Sequence, residues 1–134
     1  MNFATLRGDC DFARAVELCV KHGITAISPW RDQVEAIGLR EAARIAKANG
    51  LRVTGLCRGG MFPAADAEGR NRAHEDNRRA IEEAAVLGAD CLVLVCGGLP
   101  PGSRDLEGAR RQVAEGIAAI LPRARAAGVP LAIE

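Results

Sequence analysis

Tyrosine is absent, and aromatic residues make up only 3% of the 134 positions. A stacking platform for single-stranded nucleic acid needs more rings than that. Charge of one sign is missing too: 18 Lys and Arg stand against 17 Asp and Glu, a net +1. The chain therefore has no global electrostatic reason to bind nucleic acid or an anionic membrane. No apolar run is long enough to span a bilayer, and "MNFATLRGDCDF" lacks the basic-then-apolar layout of a secretory signal. The five cysteines (Cys10, Cys19, Cys57, Cys91 and Cys96) contain no C-x-x-C pair, so a zinc ribbon or thioredoxin-type motif is unsupported. Their odd number fits reduced thiols and a cytoplasmic location. Phosphate-loop chemistry is also missing. "RGDCD" is not G-x-G-x-x-G, and no G-K-[ST] follows either later glycine pair.

What is present is one repeated pattern. An amphipathic helix ends at a glycine and a short apolar run follows, at "KHGITAIS", "ANGLRVTGL", "LGADCLVLV" and "AAGVPLAI". Glycine just past a helix suits the left-handed conformation that closes its last turn. Phe12, Ala15, Val16, Cys19 and Val20 follow helical spacing, as do Leu39, Ala42, Ala43 and Ala46. A third helix carries Ile81, Ala84 and Ala85, and a fourth carries Val113, Ile117, Ile120, Leu121 and Ala124. Asp32 with Glu35 reads as a capping-box start, Gly38 as a break, Ser103 as an N-cap and Pro122 as a kink or split. The strands "NFATL", "ITAIS", "LRVTGLC", "CLVLVC" and "VPLAI" are near-continuous apolar runs, the mark of parallel strands covered on both faces. The order predicts an α/β fold of parallel β/α units with about five strands and four helices, in one partial domain over residues 1–134. Without a phosphate loop or a reversal signal, a TIM barrel suits this order better than a doubly wound sheet. A barrel needs eight units, so the expectation is its N-terminal half.

In such folds function collects at the C-terminal ends of strands. Those ends hold Arg7, then Trp30 and Arg31, then Arg58, Gly59 and Gly60, then Cys96, Gly97 and Gly98, and last Glu134. A carboxylate at a barrel mouth can bind a divalent metal or move a proton beside a carbonyl. Equally, Glu134 can pair with Arg58 or Arg31. The two arginines can hold a phosphate or carboxylate, or be tied up in salt bridges. Trp30 can wall a sugar pocket or cover the rim. The glycine pairs admit a ligand close to the backbone or simply turn the chain. One carboxylate is not a metal site, because catalytic sites usually hold the ion with three protein ligands.

"ISPWRDQVEAIGL", "LRVTGLCRGGMFP", "DNRRAIEEAAVLGAD" and the terminal "GVPLAIE" together resemble the xylose-isomerase-like TIM-barrel superfamily, and within it the sugar phosphate isomerase/epimerase group. The resemblance covers the whole chain but only the first half of a family member. It implies metal-assisted proton transfer on a ketose, with manganese, magnesium or cobalt held by four strand-end ligands. Glu134 matches the first of these, as metal ligand and catalytic residue, and the other three have no counterpart here. It also implies substrate contacts from Trp30, Arg31, Arg58 and Gly59 to a sugar or polyol. The complete barrel is then expected to hold the metal, and this chain alone to hold none stably and to be inactive. Alternatives are an inosose-dehydratase-like lyase and a noncatalytic half-barrel assembly module. The superfamily's abasic-site endonuclease is disfavoured by the near-neutral charge. A half-barrel leaves strand edges unpaired and inner-face Val, Leu and Ile wet, at about 1.5–3 kcal/mol each, so self-association is expected.

Overall fold

The structure, a computed structural model, describes residues 1–6 and 8–134. Arg7, placed by the sequence after the first strand, lies outside them. All strand pairing is parallel. Ala26–Ile27 (β1) pairs with Arg52–Val53 (β2), and Leu56–Gly60 (β3) pairs with Leu92–Val95 (β4), which pairs with Leu131–Ile133 (β5). Bridges Asn2↔Ser28 and Trp30↔Cys57 tie the N-terminus and β1 into the same series. Strand order thus follows chain order. The crossovers are helical: Phe12–Lys21 (α1), Arg31–Ile37 (α2) with Leu39–Ala48 (α3), Ala67–Leu87 (α4) and Leu106–Ala126 (α5). Gly23, Gly50, Gly88 and Gly128, which precede the successive strands, have φ of 67°, 65°, 63° and 66°, the left-handed geometry that a Cβ disfavours.

Five details differ from the sequence reading. "NFATL" is mostly a 3-10 turn, Phe3–Leu6, not a strand. The Asn2 side chain accepts from the Ala4 N–H at 2.9 Å and curls the chain after one bridge. The "LRVTGLC" run is split into β2 and β3. The cap of α2 is Trp30 rather than Asp32, with Gln33 reaching back to the Trp30 N–H, so Asp32 sits inside the first turn. The cap of α5 is Asp105, which accepts from the Gly108 N–H at 2.8 Å; Ser103 instead braces the Asp105 N–H. Finally, α5 runs through Pro122 without splitting, its ends held by the Asp105 cap and by Ile120 and Ala124 packed in the core. The break at Gly38 is present, between α2 and α3.

Leu56, Leu92 and Leu94 alternate onto the helix-covered face of the sheet and are fully buried with Ile81, Ala84 and Ile120. The opposite face carries smaller side chains. In register these are Cys57, Val93 and Ala132, with Ser28 Oγ 3.9 Å from Cys57 Sγ. At the sheet edge, Ile133 on β5 pairs with Leu94 and so shares the helix-side face, yet it is 64% exposed.

Candidate active site at the strand ends

Trp30, Arg31, Arg58 and Gly59 come together. They line one cavity of roughly 350 Å³ at the C-terminal ends of β1 and β3, together with Asp32 and Asp76. Trp30 leaves the bridge to Cys57 and begins α2, and its Nε1–H donates to Asn2 Oδ1 at 2.9 Å. Indole and N-terminal turn thus brace each other across the rim.

Arg31 is ion-paired not with Glu134 but with two carboxylates of helix α4. Its Nε donates to Glu83 at 2.5 Å and its Nη1 to Asp76 at 2.8 Å, with second hydrogen bonds to each carboxylate at 3.1 and 3.0 Å. A further N–H reaches the Arg58 carbonyl at 3.4 Å. The planar guanidinium fork is suited to such paired contacts. Hydrogen bonds to Asp76 and Glu83 outweigh burial and push Arg31 above the usual arginine range. The Arg31 guanidinium in turn lowers Asp76 to about 2.

Arg58 sits on a β-bulge. Register runs Cys57↔Val93 and then Gly59↔Leu94, so Arg58 is the surplus residue. Its side chain is exposed. Gly59 takes the place opposite Leu94, where a Cβ would lie 2.7 Å from Asn77 Oδ1 and 2.8 Å from Leu94 Cδ2. The glycine is required by the helix layer behind it. Gly60, at φ 96°, is closer still: a Cβ there would meet the Val95 carbonyl oxygen at 1.9 Å.

Asn77 is the residue that sequence reasoning missed. It is fully buried, accepts from the Gly60 N–H at 2.6 Å, and donates to the Gly60 carbonyl at 2.7 Å and the Ala73 carbonyl at 2.8 Å. It clamps the irregular strand segment that carries Arg58. A signal existed. Asn77, Ala80, Ile81 and Ala84 follow i, i+3, i+4, i+7, which puts a polar side chain on the apolar stripe of α4.

Glu134 follows β5 and stays in the ladder, its N–H donating to the Leu94 carbonyl at 3.0 Å. It lies at the same end of the sheet as the cavity but does not line it. Its exposed carboxylate, with burial as the larger cause, helps push the Cys57 thiol up. Burial thus favours the neutral thiol at Cys57.

A parallel series in chain order, with its cavity at the C-terminal strand ends, meets a family pattern described as the xylose isomerase-like TIM barrel, which matches residues 13–134. The chain belongs to that family. Among solved structures, protein SMc04130 from Sinorhizobium meliloti 1021 is 71% identical with a TM-score of 0.97, over 99% of this chain and 48% of that one. The zinc-bound IolI protein is 20% identical, TM-score 0.84, over 99% of this chain and 49% of that one. D-psicose 3-epimerase, solved in the presence of D-fructose, is 21% identical, TM-score 0.76, over 93% of this chain and 47% of that one. No curated protein matches. The chain thus spans about half the length of these barrels, and its architecture is a half-barrel.

The residues of this half do not by themselves fit the divalent metal that the family resemblance implies. Among the described residues, no three His, Cys, Asp or Glu side chains converge on one point. Glu134 is one carboxylate, and the cavity carboxylate Asp76 is taken up by Arg31 and Arg79. All five cysteines are free, and no helix among the described residues is long and apolar enough to cross a membrane.

Proposed function

We propose that residues 1–134 form the N-terminal half, one partial domain, of a barrel that isomerises or epimerises a sugar or polyol. The reading is supported above all by Glu134, a carboxylate held by its own backbone at the C-terminal end of β5, beside a cavity walled by Trp30. Family membership supports it further, as do structural likenesses that include an epimerase. In this reading Trp30 packs on the apolar side of the substrate, Arg58 supplies the cationic side with Arg31 bracing it, and Gly59 takes part through its backbone. Glu134 takes a proton from a carbon beside a carbonyl and returns it, work a positioned carboxylate does well. Ligands for a manganese, magnesium or cobalt ion beyond Glu134 come from outside the described residues, so residues 1–134 alone are inactive. A cytoplasmic location belongs to the same reading.

The experiment compares residues 1–134 alone with the same residues joined to the C-terminal half of protein SMc04130. Exchange of substrate C–H for solvent deuterium, followed by NMR with ketohexoses and added metal, reads proton transfer whatever the product. Exchange by the joined barrel, its loss in Glu134→Gln, and none by residues 1–134 alone are expected. Exchange unaffected by Glu134→Gln overturns the reading. Loss of water from the substrate, seen by mass, assigns a lyase instead.

A second reading, a noncatalytic module working by association, is favoured by the unpaired β5 edge with its exposed Ile133. Self-association through that edge is compatible with either.

A further inference from the structure

We infer that the two cavity arginines have different tasks: Arg58 recognises an anionic group on the substrate, a phosphate or carboxylate, while Arg31 positions it. The inference rests on the sugar-site reading above and names its substrate class.

The positive charge of Arg31 is already answered. Its side chain is only 17% exposed and faces Asp76 and Glu83, each with paired hydrogen bonds. A substrate anion approaching it would meet two carboxylates first. What remains is its contact with the Arg58 carbonyl, which ties the bulge to helix α4.

Arg58 is the reverse case. Among the described residues its guanidinium has no ion pair or hydrogen-bond partner, yet it lines the cavity. Its direction is built in. With strict alternation after Cys57↔Val93, residue 58 would stand opposite Leu94 and face the helix layer. The bulge gives that place to Gly59 and turns Arg58 toward the cavity, a device common beside active sites. Three fixings hold the segment: the Cys57 N–H on the Pro29 carbonyl at 3.0 Å, the Arg58 carbonyl under Arg31, and Gly60 clamped on both sides by buried Asn77. A buried amide holding the backbone around one unpaired guanidinium is a preorganised recognition group.

Asp32 and Asp76 also line this cavity. Asp76 is held by Arg31 and Arg79. Recognition is therefore local to the Arg58 fork, which fits a planar or tetrahedral oxyanion bidentately, rather than a property of the cavity's net charge.

Trp30 is the single tryptophan and lines the same cavity, so its fluorescence reports binding directly. Residues 1–134 and the joined barrel are titrated at fixed ionic strength with D-fructose 6-phosphate, D-gluconate, D-fructose and inorganic phosphate. The phosphorylated or carboxylated sugar is expected to bind more tightly than D-fructose. Arg58→Gln should weaken it by roughly tenfold or more, as for loss of a charged hydrogen bond, with partial rescue in Arg58→Lys and a distinctly smaller loss for D-fructose. Equal binding of neutral and anionic sugars, or no effect of Arg58→Gln, overturns the inference and leaves the sugar reading standing. Binding of inorganic phosphate through Arg58 with no sugar bound supports the anion site and overturns the sugar reading. No binding of any probe overturns both. Unchanged circular dichroism in Arg58→Gln shows that the fold is intact.

Discussion

Replacing Asn77 by alanine tests the claim that one buried amide holds the irregular end of β3. The substitution puts a good helix former at 77 but removes the partner of both Gly60 backbone groups, which sit at 2.6 and 2.7 Å from it in a buried segment. A buried polar group left unsatisfied costs about 1–3 kcal/mol. Two such groups, with some relaxation toward the cavity, give about 2–4 kcal/mol. That is a large share of a typical total of about 5–15 kcal/mol. With a urea slope near the middle of the usual range, about 2 kcal/mol per molar, the unfolding midpoint should fall by about 1–2 M. Asn77→Asp keeps the acceptor for the Gly60 N–H but turns a carboxylate toward the Gly60 and Ala73 carbonyls, so it should be no better than alanine. An unchanged midpoint in Asn77→Ala, measured by urea denaturation followed by circular dichroism, refutes the clamp.

Two further predictions concern charge and edges. Asp76 is held at about 2 by Arg31, below its ordinary 3.8. A folded-state value below the unfolded one adds stability that is complete above about pH 4, declines through the window between, and is gone below about pH 2. Because the Asp76 side chain is 43% exposed, solvent screening reduces the effect to about 1 kcal/mol. Wild type and Asp76→Asn should therefore differ in urea midpoint at neutral pH and converge at pH 2; a constant difference refutes the assignment. At the sheet edge, residues 1–134 should run above monomer mass in light scattering, and Ile133→Lys should weaken the association by about ten- to a hundredfold, the worth of burying one isoleucine. A monomeric wild type at high concentration would refute the edge as a contact.

Much of this was legible because parallel β/α units are locally encoded. Helical spacing, a terminating glycine and a continuous apolar run recur along the chain, and each is a short-range signal. The break at Gly38 and the left-handed glycines follow from single residues. The gathering of Trp30, Arg31, Arg58 and Gly59 was also readable, because the strand-end rule converts sequence position into location. Details set by competition among neighbours were not. Asn2 and Asp105 outcompeted the expected strand and cap by side-chain hydrogen bonds to nearby backbone.

By itself, the sequence determined a parallel α/β half-barrel and the end of the sheet at which Trp30, Arg31, Arg58 and Gly59 gather, because periodicity and chain order are properties of the line of residues. Only the tertiary structure decided which arginine is spent and which is available. Asp76 and Glu83 lie 45 and 52 residues from Arg31 along the chain yet meet it in space. The bulge that turns Arg58 outward exists only in the pairing of β3 with β4, and no single strand carries its own register.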